Sequence, residues 1–265
     1  MFDFKIVFLG ALQGLTEFLP VSSSAHLSFF QVIFDYQNML GYDIVLHMAT
    51  LFALLLYFRK DIITFIIEWT LGFRKAEYRK STGWSYGWTV LFGTVVTALI
   101  AIPLKSTVEK AMDSLIIVAL GLFCTSLLLW YIGNIKTRER KVSLTTGLLV
   151  GFVQGIAVMP GISRSGSTIF MGRLAGLSSE EAFRFSFLIS IPAIVGATLL
   201  EILEMFKIGR VTLPPYWWLG ALLAFSLGYC SLVLLRNFVI KGRFKCFSVY
   251  CSALAFIMIL CSVLK

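Results

Sequence analysis

Glu17 is a carboxylate set in an apolar stretch, and Gln13, four residues before it, shares its face of a helix. An acid in such surroundings requires a cation, an arginine or a set of hydrogen-bond donors. The segment Pro20-Val-Ser-Ser-Ser-Ala-His26 follows. Serines at a helix start cap free N–H groups, and the same helix end attracts phosphate through those donors and through the dipole. Capping accounts for one of Ser22, Ser23 and Ser24 and not for all three. His26, in the first turn beside these serines, is a candidate nucleophile or proton donor.

A second polar segment, Pro160-Gly-Ile-Ser-Arg-Ser-Gly-Ser-Thr168, interrupts another apolar stretch. Gly161 and Gly166 permit close backbone approach, and Ser163, Ser165, Ser167 and Thr168 supply hydroxyls. Arg164 supplies a planar fork that binds two phosphate oxygens at once, and successive N–H groups in such a loop form an anion nest. The plainest structural use of Arg164 is an ion pair with Glu17, which would bring the two motifs together just as a phosphate site would. Other polar groups rank behind these. His47 faces the bundle interior, and Glu201 and Glu204 reach water at a membrane edge. Arg173 and Arg184 pair with headgroups or with Glu180 and Glu181.

The elements that must position these groups are membrane helices. Of 265 residues, 58% are hydrophobic and 14% charged, with mean hydropathy +0.87, too little polar surface for a water-soluble globule. Apolar runs near 20 residues recur, the length that crosses about 30 Å of hydrocarbon. No segment alternates like a barrel strand, so the predicted class is an all-α polytopic membrane protein in one membrane domain. Spans are predicted at 41–58, 86–104, 114–133, 184–206, 216–235 and 246–264, with residues 62–73 as an interfacial helix or an extension of a neighbour. Residues 4–34 and 143–178 are apolar but broken by the two motifs. Polar, non-helical backbone at membrane depth survives only when enclosed by protein or lining a wet cavity, so both read as re-entrant helix hairpins.

The hairpins resemble one another: residues 10–22 read GALQGLTEFLPVS and residues 151–163 read GFVQGIAVMPGIS. Each is followed by three predicted spans. A repeat with an odd number of crossings must invert, which gives two halves, about 1–135 and 142–265, of opposite topology, with the site at their interface. Basic residues support this. Fourteen lie in segments 59–80, 136–141 and 236–245, against six (Lys5, Lys105, Lys110, Lys207, Arg210 and Lys265) on the predicted opposite side. The richer side should face the cytoplasm, which puts the first hairpin's mouth outside. The net charge of +9 is then loop bias, and no nucleic-acid partner is expected. The five cysteines form no CxxC pair and read as reduced packing residues. The N-terminal apolar run, interrupted by Gln13 and Glu17, does not read as a cleavable signal.

At Gln13 to His26 the chain resembles the (E/Q)GLTEFLPVSS motif of the bacterial undecaprenyl-diphosphate phosphatase family, known also for bacitracin resistance. At Pro160 to Gly166 it resembles that family's PGxSRSG motif. Length, motif order and the following FSFLISIPAIVGA stretch also fit. The resemblance implies removal of the terminal phosphate of a polyprenyl diphosphate at the bacterial inner membrane, recycling a cell-wall lipid carrier, with the site opening to the periplasmic side. It implies Glu17 as the essential acid with a divalent cation, Mg2+ or Ca2+, and Gln13 as a second ligand. It implies Ser23 and His26 as nucleophile and acid/base in either order, and Arg164 as the pyrophosphate clamp. Gln13, Ser22, Ser24, Gly161, Ser163, Ser165, Gly166, Ser167 and Thr168 would line the substrate. Many members carry a first Glu where this chain has Gln13, so Glu17 alone must carry the acidic role. Membrane lipids, and a second copy of the chain in a homodimer, are the partners to expect. A transporter or flippase of the same carrier lipid is the rival reading, since inverted repeats are typical of alternating-access carriers.

Overall fold

Every regular element among the described residues is helical, as backbone hydrogen bonding away from water requires. The computed structural model of the chain describes residues 4–34, 40–136, 138–208 and 213–264; Arg210 and Lys265, counted above with the outer charges, lie outside them. The first hairpin is α1 (Phe4–Thr16) and α2 (Ser23–Phe34). Then come α3 (Leu40–Tyr57), α4 (Arg59–Arg74), a 3-10 turn (Ala76–Lys80), α5 (Thr82–Met112) and α6 (Leu115–Ile132). The second hairpin is α7 (Leu144–Ile156) and α8 (Arg164–Leu174), followed by α9 (Ser179–Ile208), α10 (Trp217–Ile240) and α11 (Lys245–Val263).

Among the described residues five helices, α5, α6, α9, α10 and α11, are long and apolar enough to cross a membrane. They match five of the six predicted spans. The sixth, 41–58, is α3, an apolar helix of 18 residues, about 27 Å at 1.5 Å per residue. Helix α5 extends beyond its predicted 86–104. Ser81 caps it by accepting a hydrogen bond from Trp84 N at 3.2 Å, and the helix continues through Pro103 to Met112. The 62–73 stretch belongs to a separate helix, α4, which leaves α3 after a single residue and packs along α5. The arms α1 and α7, 13 residues each, are about 20 Å long, too short to cross.

Burial is inside-out relative to a soluble protein. Leu99, Phe206 and Phe256 are exposed, whereas Gln13, His26, Thr97, Thr125, Ser126, Gln154 and Ser163 are buried. A hydrocarbon solvent requires this arrangement.

Each hairpin is held by a helix of the other half of the chain. Helix α1 packs on α10 and α7 packs on α5. Both seams use glycines four residues apart. A Cβ on Gly10 would lie 2.3 Å from Gly220 O, and one on Gly14 would lie 2.7 Å from Ala224 O. Across the other seam, a Cβ on Gly151 would lie 2.2 Å from Gly93 O, and one on Gly147 2.6 Å from Thr89 O. Backbones this close leave no room for a methyl group.

Ion pairs tie one end of the bundle together. Arg184 reaches Asp61 (3.5 Å) and Glu181 (3.6 Å), and Arg236 pairs with Glu180. Arg140 N donates to Gly176 O (3.0 Å) and Ser85 Oγ to Val142 O (3.1 Å). The three basic segments therefore meet at that end. Lys105 pairs with Glu204 at the other. Arg173 donates to the carbonyls of Leu177 and Ile135 (2.8 and 3.0 Å).

Gly10→Ala should therefore force α1 off α10 and cost about 1–3 kcal/mol, the usual range for overpacking. Gly196→Ala, where an added Cβ meets nothing within 4 Å, should leave stability unchanged or raise it slightly. Thermal unfolding of both variants in one detergent checks the contrast, and equal midpoints would contradict the packing described.

Candidate active site

The two hairpin tips meet at Glu17. Its backbone N–H still bonds to Gln13 O (2.9 Å), so the residue closes the last turn of α1 and projects its side chain beyond the helix. The carboxylate side chain is 7% exposed. Arg164 Nη2 donates to Oε1 at 2.7 Å, Ser23 Oγ donates to Oε2 at 2.7 Å, and Gln13 Nε2 donates to Oε2 at 2.9 Å. Ser23 is the first residue of α2 and Arg164 the first of α8. Two helix N-termini, with their unpaired N–H groups and positive dipole ends, thus converge on one carboxylate.

The tips that deliver these residues are built alike. Ser22 adopts a left-handed conformation (φ 64°), uncommon for a residue with a side chain. Its Oγ lies 3.1 Å from Ser24 Oγ. In the second hairpin, Ser163 caps α8 by accepting from Gly166 N (3.2 Å), and its Oγ lies 3.2 Å from Ser165 Oγ. The preceding turn depends on Gly161, which has φ 86° and abuts α6 so closely that a Cβ would sit 2.0 Å from Val118 O. Thr125 of α6 locks this turn, donating to Gly161 O (3.0 Å) and accepting from Ser163 N (2.8 Å).

Of the predicted site residues, Glu17, Gln13, Ser23 and Arg164 are in direct contact. Ser23, Ser24 and Arg164 are partly exposed, so a ligand can reach them. Ser22, Ser163, Ser165, Gly166, Ser167 and Thr168 are buried. Thr168 Oγ1 turns inward, donating to Arg164 O (2.8 Å) and lying 2.5 Å from Ser186 Oγ. These buried groups shape the loop from within. His26 does not bond to Ser23. Its Nδ1 lies 2.8 Å from Ser22 O, and its Nε2 lies 2.7 Å from Tyr250 OH.

His47 stands closer to the chemistry than its sequence position suggests. Its Nε2 lies 3.9 Å from Glu17 Oε2, and its Nδ1 donates to Asp43 O at 2.8 Å. Gln31 donates to the Asp43 carboxylate (3.2 Å). The side chain of His47 is 34% exposed, so a polar track runs from Glu17 along α3 toward its first turn, away from the basic end. Tyr250 and His47 carried no motif. The only sequence signal for His47 was a histidine on an otherwise apolar helix.

The fold and the site define a polytopic membrane protein with a charged polar centre enclosed between two helix hairpins. The family model described as bacitracin resistance protein BacA matches residues 6–257. An undecaprenyl-diphosphatase of Desulfosudis oleivorans is 41% identical over 261 residues, covering 92% of this chain and 93% of that protein. Proteins of the same name from Desulforapulum autotrophicum (40%, covering 96% of each) and Methanosphaera stadtmanae (35%, covering 97% of each) are similar over the same extent. The chain belongs to the BacA family.

Arg164 and Glu17 should be strongly coupled in stability. Removing one partner of a buried pair strands the other and costs about 3–5 kcal/mol; the partial exposure of Arg164, 23%, places this pair near the lower figure. Arg164→Ala should therefore destabilise the protein, and adding Glu17→Gln should restore part of the loss. A double-mutant cycle of unfolding midpoints measures the coupling, and additive effects would show that the pair is not a structural unit.

Proposed function

We infer that this chain hydrolyses the terminal phosphoanhydride bond of undecaprenyl diphosphate, giving undecaprenyl phosphate and inorganic phosphate. The observation that carries the mechanism is Ser23 Oγ–H donating to Glu17 Oε2 at 2.7 Å. A hydroxyl bound to a carboxylate that Arg164 holds in place is a nucleophile paired with its base. His26 is a weaker candidate to attack, because Tyr250 occupies its Nε2.

In this reading Arg164 uses one N–H on Glu17 and offers the rest of its fork to the diphosphate. The N-termini of α2 and α8 add donors and positive potential. Glu17 takes the Ser23 proton as Oγ attacks the terminal phosphorus. The bond from that phosphorus to the bridging oxygen breaks, and undecaprenyl phosphate departs. Water then attacks the phosphoserine, and Glu17 returns a proton to Ser23 Oγ as phosphate leaves. Positioning and charge neutralisation are the main requirements of phosphoryl transfer.

The donor set suits a hard divalent cation. Glu17 supplies a carboxylate, and Gln13 Oε1 is a buried oxygen with no hydrogen-bond partner. No group of three acidic, His or Cys side chains suited to a metal occurs among the described residues. Mg2+ or Ca2+ would be held by Glu17 and Gln13, with its other ligands coming from outside the chain. The cation would supply neutralisation of the pyrophosphate charge.

The two halves, 1–135 and 142–265, act as an inverted repeat in which each half contributes one tip to the site. The paired seams α1–α10 and α7–α5 and the matching serine pairs support this. The basic end faces the cytoplasm, and the track through His47 opens the site to the periplasmic side of the inner membrane. The polyprenyl tail stays in the bilayer.

Phosphate release from undecaprenyl or farnesyl diphosphate by purified protein tests this reading. EDTA should suppress release, and Ser23→Ala and Glu17→Gln should each lower kcat by on the order of 10³-fold. Arg164→Ala should also raise KM. Full activity in Ser23→Ala would remove serine as the nucleophile. Lipid binding without release in the unmodified protein would refute the hydrolase and return the carrier reading.

A further inference from the structure

His26 is buried in the first turn of α2, and both of its ring nitrogens are engaged. Nδ1 lies 2.8 Å from the carbonyl oxygen of Ser22. A carbonyl can only accept, so Nδ1 carries the proton, and in the neutral ring Nε2 is left as an acceptor. Its partner is the hydroxyl of Tyr250, 2.7 Å away on α11. The two rings are nearly parallel, 5° apart with centroids 5.7 Å apart. The hydrogen bond to Nε2 and the flat ring contact together fix the tautomer and the plane of the imidazole.

The placement of Tyr250 is itself determined. On one side of it, Ser248 and Ser252 bond to Ser126 of α6, with Oγ–Oγ distances of 3.0 and 2.6 Å. On the other, Cys251 Sγ donates to Pro20 O at 3.7 Å, at the tip of the first hairpin. Helix α6 also locks the second hairpin through Thr125, the residue before Ser126. Helix α6 therefore holds the second tip directly, and α11, bonded to α6, carries the tyrosine and reaches the first tip. A tyrosine in a membrane helix is ordinarily an interface anchor whose hydroxyl reaches the headgroups. Tyr250 is 47% exposed, but its hydroxyl meets a histidine that is 2% exposed.

We propose that Tyr250 is a positioning residue for the hydrolytic centre: it acts through His26, whose Nε2 accepts its hydroxyl while Nδ1–H holds Ser22 O, and so ties the first turn of α2, with Ser23 in it, to α11. The proposal rests on the hydrolase reading and extends it to a residue more than two hundred positions from the motifs. Ser23 and His26, three apart on α2, lie on neighbouring parts of its surface. The lone pair of Nε2 is filled by the Tyr250 hydroxyl, so His26 acts on the site by fixing the first turn of α2, from which Ser23 Oγ reaches Glu17. A ring released from Tyr250 would loosen its hold on Ser22 O and let Ser23 drift from the carboxylate.

The chain contains only two histidines, so 15N-histidine labelling in detergent gives two rings to follow, assigned with His47→Gln. The test compares wild type with Tyr250→Phe, which keeps the ring and removes the hydroxyl. His26 in the wild type should show a protonated Nδ1 and a hydrogen-bonded Nε2. In Tyr250→Phe the Nε2 signal should move toward that of an unbonded nitrogen or split between tautomers. Phosphate-release kinetics should show kcat falling about tenfold with KM within about twofold, and an unchanged thermal midpoint would show that packing survives. Wild-type kcat in Tyr250→Phe, or unchanged His26 signals, would overturn the proposal while leaving the hydrolase intact. A wild-type protein that binds lipid diphosphate and releases no phosphate would instead remove the hydrolase reading and this role with it.

Discussion

A carboxylate at membrane depth is tolerable only if its charge is answered, and much of this molecule can be understood as the answer given to Glu17. One oxygen takes a guanidinium N–H, and the other takes a hydroxyl and an amide. No single hairpin could supply these donors. The first brings the acid, the serine and the amide, and the second brings the arginine. Closing the Glu17–Arg164 contact therefore assembles both tips, and the packing further out serves to hold them there. The glycine seams bring α1 and α7 against their supports, Thr125 pins the Gly161 turn, and the left-handed Ser22 turns the chain so that α2 begins beside the acid.

The same contact explains why a hydrolytic reading suits the geometry. A carboxylate fully neutralised by arginine would be a structural pair. Here the pair is shared with a hydroxyl on a partly exposed residue, and the guanidinium keeps donors in reserve. In the hydrolase reading an arriving diphosphate takes the guanidinium N–H groups that Glu17 leaves unused, and the carboxylate stays bonded to Ser23 as its base. A structural contact and a reactive arrangement would then share the same few atoms.

Much of this was legible in the sequence because the bilayer leaves few options. Glu17 and Arg164, charged residues set in apolar stretches, each had to find a partner, and an ion pair between them was one of the matches open to them. The broken hairpins followed from Pro20, Pro160 and the serines, which no lipid-facing helix would carry. What could not be read depended on three-dimensional adjacency without a chemical demand. Tyr250 looks like any aromatic residue of a membrane helix, and nothing local marks its hydroxyl as turned inward. His47 sits on a helix whose rotation the sequence does not fix. The burial of Ser167 and Thr168, which the spacing placed among the ligand-binding groups, follows from how α8 rolls against α9, again a matter of packing. Helix α4 was ambiguous because a short apolar run cannot tell a separate helix from a continuation of its neighbour.

The exchange of supports between the halves also sets an order of events during synthesis. Helix α1 rests on α10, which begins roughly 180 residues after the first hairpin ends. At about 5–20 residues per second, the hairpin emerges some ten to forty seconds before its seat exists. For most of that interval Gln13, Glu17 and the serines lack Arg164, which follows the hairpin by about 130 residues, and for all of it they lack the glycine seam on α10. The packing of the first hairpin is therefore complete only once α10 has been made. The second hairpin faces no such delay, because α5 is already in place when α7 is made.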